Sequence, residues 1–488
     1  MPARRLSFWL KVALAVGVVA AGDVALFEAR GIGANLGVLL TAVTLALAIA
    51  NPAIRRHRLA AIALVLALPL ALLPFERPSF VGFLLWSLAM AVAALAPRAP
   101  RGEDGLRWAQ RLVMGGLKAL IGPPWDLRRW LKVRARSRPL KVTAVILAAV
   151  LPIVGGLVFL QLFTVANPVI AQAFQRVELA RLDVGRIVFW GVIALPVWAV
   201  LRPRGLKRTL ATPGLDGDLN LPGVTTASVT VSLMVFNAVF LLQNGLDIAY
   251  LWSGAGLPDG VTFADYAHKG AYALIATALL AGLFVVVFLR PGSATAARPL
   301  VRWLVIAWVA QNLFLVASTA LRTLDYVDAY SLTGMRIAAL FWMGLVAIGL
   351  ALILWRLIAG RSASWLLNRN LAAVGAVLAL CGVIDLNAIV ASWNVRHARE
   401  VGGHGVELDD AHLSHLGGAA IVSLAELEAR SPDPLLRARA AHAREHAMEQ
   451  VHQADWRSWR WRDARRLARV EELLAQPPSP TVRSPPLH

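Results

Sequence analysis

The chain has 488 residues, of which 58% are apolar and 16% charged, with a mean hydropathy of +0.62. A soluble chain of this length carries about a quarter charged residues. The composition therefore excludes a cytosolic enzyme, a disordered chain and a secreted disulfide scaffold, and leaves a polytopic membrane protein. The net charge of +20 lies wholly in residues 1–391, where 36 basic residues stand against 16 acidic ones, while Arg396 to His488 carry 13 of each. Basic clusters that flank apolar stretches point to membrane orientation and away from nucleic acid.

Eleven apolar runs approach the roughly 20 residues that a helix needs to cross a bilayer. They are 8–27, 34–53, 59–74, 80–96, 142–165, 187–201, 226–245, 271–289, 303–321, 335–357 and 371–391. The runs at 59–74 and 187–201 are short and contain prolines. At the N-terminus, Arg4-Arg5, an apolar run and Ala20-Ala21-Gly22 also fit a signal peptide, although Asp23 and Glu28 continue the pattern into an outer helix end. With the N-terminus in the cytoplasm, 28 of the 36 basic residues fall in inside segments and 11 of the 16 acids outside. The positive-inside rule then puts the tail from residue 392 outside.

The longest inside loop is 97–141. Leu106, Ala109, Val113, Leu117, Leu120 and Ile121 share a helical face, with Arg107, Arg111 and Lys118 off it. This predicts a helix lying in the headgroup layer, stopped by Pro123-Pro124. Residues 105–141 are the place for anionic lipid, with topology anchoring as the plainer role. Further on, Asp216-Gly-Asp218 has the spacing of a metal-holding pair, but Pro213-Gly214 and Gly217 favour a turn. The lone cysteine, Cys381, excludes an intramolecular disulfide and reads as a small buried core residue.

Polar residues inside the late spans carry more information, because polar groups in lipid are costly and face the protein interior. Asn237, Gln243, Asn244 and Asp247 mark the seventh run. Gln311 and Asn312 sit mid-span in the ninth, and Gln311, Ser318 and Arg322 fall near one helical face. Asp325, Tyr326, Asp328, Tyr330, Ser331, Thr333 and Arg336 follow, then Asp385, Asn387 and Asn394. Arg336 opens the tenth run and is expected to be buried with Asp325 or Asp328, the nearest carboxylates in sequence. These residues are expected either to form an outward-facing polar pocket or to lock helices together by hydrogen bonds.

The tail reads as helices over 409–429 and 434–475, then a Pro-rich disordered end over 476–488. His442-Ala-Arg-Glu445-His446 matches the H-x-x-E-H zinc pattern, without a clear third ligand, and reads as a solvated helix face. Trp456, Trp459 and Trp461 among Arg457, Arg460, Arg462, Arg465 and Arg466 predict a helix lying on a membrane or on the protein.

Three ordered motifs also carry a resemblance. They are Asp265-Tyr266-Ala-His-Lys269-Gly-Ala-Tyr272, Tyr326-Val-Asp-Ala-Tyr-Ser-Leu-Thr-Gly-Met-Arg336, and Asp385-Leu-Asn with Val390-Ala-Ser-Trp-Asn394. Together they resemble the bacterial polytopic membrane proteins grouped as domain of unknown function 4173, with the related 4153 group. The resemblance covers about residues 230–420, and the Asp23, Gly31 and Asn35 start is also similar. The chain departs at Lys269, Ala271 and Ser331, where the pattern has Arg, Phe and Gly. Ser331 does not call for positive φ, so the turn there is expected to differ. The resemblance implies a bacterial membrane protein with no established activity and transfers no catalytic residue.

The combined reading is an all-α polytopic bundle of the bacterial cytoplasmic membrane, with about eleven spans within residues 1–391 and an extracytoplasmic helical tail over 392–475. The leading function is non-enzymatic: it binds a partner, lipid or small solute at an outward-facing cluster of Tyr266, Lys269, Gln311, Asn312, Arg322, Asp325, Tyr326, Tyr330, Thr333, Arg336, Asp385 and Asn394. A transporter of a small solute is the alternative and a membrane-embedded enzyme on lipid or glycan the second. No cofactor or metal residue is assigned, and beyond the bilayer no protein or nucleic-acid partner is named.

Overall fold

A computed structural model describes residues 2–29, 31–100, 102–137, 184–204, 225–253, 280, 284 and 297–475. The described residues are helical, without a strand. Seven helices are long and apolar enough to cross a membrane, and two shorter apolar ones span Ala34–Ala50 and Gly185–Leu201. The expected spans 142–165 and 271–289 fall largely outside the described residues. The chain divides into two compact units.

The first unit holds α1 (Pro2–Leu26), α2 (Ala34–Ala50), α3 (Arg58–Glu76), α4 (Phe80–Leu95), α5 (Gly105–Ser137, from Arg107 on) and α6 (Val184–Leu201). Ala60, Ala63, Ala67 and Ala71 are all buried along one face of α3. Small residues at this spacing let helix backbones approach closely where dispersion contacts drive packing. Gly37 serves α2 in the same way, since a Cβ there would lie 2.4 Å from the Phe75 ring. A polar bond crosses this core, from Trp86 Nε1 to Thr44 Oγ1 at 3.0 Å. α1 and α6 run antiparallel: Asp23 accepts from Arg186 and Trp190 at one end, while Lys11 and Asn51 meet the Leu201 end at the other.

α5 corrects two expectations. It continues through Pro123-Pro124 to Ser137, because Asp126, one turn on, is buried in ion pairs with Arg202 and Arg204. That tertiary anchor outweighs the backbone bonds the prolines remove. Arg111, expected on the polar face, is buried and paired with Glu103 at 2.6 Å. The pairing raises its pKa further, so it stays charged.

Residues 454–460 also belong to this unit, and they form a turn where a Trp/Arg helix was expected. Asp455 accepts from the backbone of Arg457 and Ser458, and the Ser458 N–H foremost holds its carboxyl below the usual range. The Trp459 and Arg457 carbonyls accept from the Ala34 and Asn35 amides at 3.0 and 2.9 Å. These are the open amides of the first turn of α2, which need an acceptor. Gly33 is required here, since a Cβ would come within 2.5 Å of the Ser458 carbonyl oxygen.

The second unit holds α7 (Thr226–Asp247), α8 (Pro299–Tyr330), α9 (Gly334–Ala359), α10 (Ala363–Val383), α11 (Leu386–His397), α12 (Asp410–His415), α13 (Ile421–Arg430), α14 (Pro434–His452) and α15 (Trp461–Ala475). Trp308 centres its apolar core, its ring 5.2 Å from Phe236 and 5.9 Å from Phe240. On α7, Val235, Val239, Leu241 and Leu242 are exposed, an apolar surface of the kind that lipid covers. Cys381, expected in the core, is only half-buried on α10.

Two helix boundaries differ from expectation. The run 371–391 breaks at Ile384–Asp385, because Asp385 caps α11 by accepting from Ala388 N–H at 3.2 Å. The expected helix 409–429 breaks at Gly417-Gly418, where Gly417 takes φ +54°. Leu413, Leu424, Leu427 and Leu436 then pack α12, α13 and α14 against Val395 of α11. α15 adds Val470 to Ile421 and Ala447. His446 of the zinc-like pattern meets Gln450, and Glu445 is exposed beside Arg444.

Candidate functional site

The expected polar cluster resolves in the second unit into three groups, while Tyr266 and Lys269 lie outside the described residues. The first is a ladder between α7 and α8. Asn237 Oδ1 accepts from Gln311 Nε2 at 2.8 Å, and Asn244 Nδ2 donates to the Gln311 carbonyl at 3.2 Å. Trp252 Nε1 donates to Ser318 Oγ at 3.0 Å, and Asp247, fully buried, pairs with buried Arg322. Gln243 also donates to Asp247 at 2.9 Å. The face shared by Gln311, Ser318 and Arg322 is therefore the face turned to α7. Asn312 lies deeper and donates to the Trp308 carbonyl at 2.7 Å. Among the described residues no donor reaches Oδ1 of Asn244, Oε1 of Gln311 or Oδ1 of Asn312, all buried.

The second group is the turn between α8 and α9. Ser331 takes φ 67° and ψ 166°, a conformation that glycine adopts freely and a Cβ resists. The turn is thus one that a glycine would make, contrary to expectation, and its neighbours hold it. Asn394 brackets Leu332 from both sides: its Oδ1 accepts from the Leu332 N–H at 2.8 Å and its Nδ2 donates to the Leu332 carbonyl at 3.0 Å. Thr333 caps α9 by accepting from the Arg336 N–H. The Arg336 guanidinium donates to the Tyr330 carbonyl at 2.7 Å and to the Ser331 carbonyl, and lies 4.3 Å from the centre of the Tyr326 ring. The Tyr326 and Tyr330 rings lie 4.6 Å apart, tilted 40° to each other.

The expected ion pair of Arg336 with Asp325 or Asp328 is not formed. The α8 carbonyls that end a helix beside it carry the partial negative charge that a cation needs. Asp325 and Asp328 are exposed instead.

A cavity of about 280 Å³ opens beside this turn. Asp328, Ser331, Asn394, Trp393, His397 and His404 line it. The His397 ring stacks on Trp393 at 3.9 Å and its Nδ1 meets the Trp393 carbonyl. The lining thus offers one carboxylate, two imidazoles and an aromatic face, a mixture suited to a small polar ligand with an apolar side. The sequence motifs contained Asp328 and Trp393 but missed His397 and His404, whose only signal was nearness to Asn394.

The third group surrounds Asp385. Besides capping α11, its carboxylate pairs with Arg466 and, at 3.3 Å, with Arg462 of α15. This carboxylate is consumed by structure, and it ties the start of α11 to the last described helix.

A family model described as Domain of unknown function (DUF4153) matches residues 59–427. Neither a curated protein nor a solved structure matches the chain. The matched stretch is about three quarters of the chain and includes the ladder, the Ser331 turn with its cavity, and the Asp385 cap. It corresponds to the relative named in the resemblance and not to the 4173 group itself. The chain therefore belongs to the domain of unknown function 4153 family.

Proposed function

We propose that this is a multi-pass protein of a bacterial cytoplasmic membrane that binds a small polar ligand, free or carried on a lipid or partner, in the cavity beside Ser331. In this reading the chain crosses eleven times. The two short apolar helices and the runs 142–165 and 271–289 supplement the seven long helices. The N-terminus lies inside and residues 392–475 outside, which turns the cavity outward. The 28-to-8 distribution of basic residues supports the orientation.

One observation carries the binding role. The strained backbone at Ser331 is fixed from both sides, by Asn394 and by Arg336, at the rim of a polar cavity. Strain held this way recurs at ligand sites, where it preorganises the rim. The test is differential scanning of the purified chain against a panel of sugars, amino acids and headgroup phosphodiesters. A ligand that raises the melting temperature of wild type and fails on His404→Ala and Asp328→Asn supports the proposal. Equal shifts in wild type and both variants defeat it. Reporter fusions at residues 120 and 440 test orientation, with inside and outside signals expected in turn.

Transport of a small polar solute is the second reading. The buried Asp247–Arg322 pair and the unmatched amide oxygens of the α7–α8 ladder favour it. Solute flux in proteoliposomes that Asn237→Leu abolishes would move this reading ahead of the first.

A further inference from the structure

The first unit carries a second cavity, far in sequence from the one beside Ser331. About 130 Å³ in volume, it lies among α4, α5 and α6. Leu95, Leu112, Ala119 and Val200 make its walls apolar. Its polar end is built around buried Asp126, which accepts from Arg204 at 2.6 Å, Arg202 at 3.2 Å and Trp198 Nε1 at 3.3 Å. One carboxylate cannot balance two guanidinium groups, and more cations gather there. Lys118 lines the same cavity with no carboxylate partner among the described residues. Lys11, within electrostatic reach of Arg98 and Arg202, donates to the neutral Asn51 and meets no carboxylate among the described residues. Asp126 thus orients two arginines without cancelling the site's charge.

We propose that this cavity seats the glycerophosphate end of an anionic phospholipid, with Arg202, Arg204 and Lys118 on the phosphate and the first acyl methylenes along Gly116 and Leu112. The apolar walls select an amphiphile over a soluble anion, and the excess positive charge selects an anionic headgroup over a zwitterionic one. Gly116 leaves the space for the chain: a Cβ there meets nothing within 4 Å. Beside it α5 presents Val113, Met114 and Leu117 to the surface, the amphipathic face from which a lipid would enter. The site also differs from a generic basic loop, because two of its three cations come from the end of α6 and not from α5.

The test is native mass spectrometry of the full chain released from micelles, with phosphatidylglycerol or phosphatidylcholine added. One phosphatidylglycerol should stay bound under activation that strips phosphatidylcholine. Lys118→Gln should weaken that retention about tenfold by removing one charge-assisted bond, and Gly116→Leu should abolish it by filling the cavity. Both variants should melt like wild type, since neither touches the Asp126 pairs. Equal retention of the two lipids, or wild-type retention by both variants, overturns the proposal. Displacement of phosphatidylglycerol by millimolar inorganic phosphate would overturn the lipid assignment in favour of a soluble anion. Should a variant fail to fold, wild type still decides. Phosphatidylglycerol retention must fall as salt rises while phosphatidylcholine retention stays level, and a flat response sinks the proposal.

Discussion

Arg322 and Arg336 stand fourteen residues apart at one end of α8 and solve the same problem differently. Arg322 is enclosed between α7 and α8, eight residues before the end of its own helix, where the backbone carbonyls around it are already bonded, and a full countercharge from Asp247 accompanies it. Arg336 is half-buried at a helix junction. There the α8 end supplies two carbonyls and Tyr326 supplies a ring face, and no carboxylate is needed. The difference teaches that the partner of an intramembrane cation depends on what the backbone offers locally. A spent helix end can substitute for an acid; the middle of a helix, with its carbonyls already bonded, cannot.

The sharpest way to break this comparison is Arg322→Ala. It leaves Asp247 buried without its countercharge and should cost about 3–5 kcal/mol. In detergent melts the variant should unfold far below wild type or fail to accumulate. Replacing both partners, as Arg322→Met with Asp247→Leu, should recover most of the loss, and a double variant no better than the single would refute the ion-pair account. Next in size is Asn394→Ala, which strands the N–H and carbonyl of buried Leu332 at about 1 kcal/mol or more each, so about 2–3 kcal/mol together. Asn394→Asp keeps the acceptor and loses the donor, and should fall between alanine and wild type in the same melt.

Arg336→Ala should cost less, about 1–2 kcal/mol, because a ring contact and carbonyl bonds near the surface are lost but no buried charge is left alone. A loss as large as that of Arg322→Ala would mean that the two sites are not distinct after all. The smallest effect has the opposite sign. Ser331→Gly removes the Cβ strain of a positive-φ residue, worth about 1–2 kcal/mol, and gives part of it back as unfolded-chain entropy. It should therefore raise the midpoint modestly, by about 1 kcal/mol of stability. A lower midpoint would show that the turn is not strained as its backbone angles indicate.

Much of the architecture could be read from residues alone. Apolar runs located the nine described helices that can cross or enter a membrane, and the face of Gln311, Ser318 and Arg322 was visible as helical spacing. Their partners were not visible. Arg322 meets an aspartate 75 residues away and Asn394 meets a turn 62 residues away. Spacing within one helix cannot choose among distant helices. Nearness in sequence therefore points Arg336 to Asp325 or Asp328, although backbone carbonyls, which leave no trace in composition, hold it. The same applies to Pro123-Pro124: a local breaker is legible, whereas the Asp126 anchor that overrides it depends on α6. At Asp385 the sequence did contain the clue, because an aspartate before an apolar run is as good a helix cap as it is a poor lipid-facing residue.

The bonds from Ala34 and Asn35 to the carbonyls of Trp459 and Arg457 also set an order in time. The ribosome delivers residue 35 long before residue 457. At common synthesis rates the interval is roughly 20–80 s. Throughout that interval the first turn of α2 is without its final acceptors, and its open amides turn to water or another partner instead. A nascent chain stalled before residue 455 should accordingly be cut by protease near Gly31–Gly33, and one released after residue 460 should not.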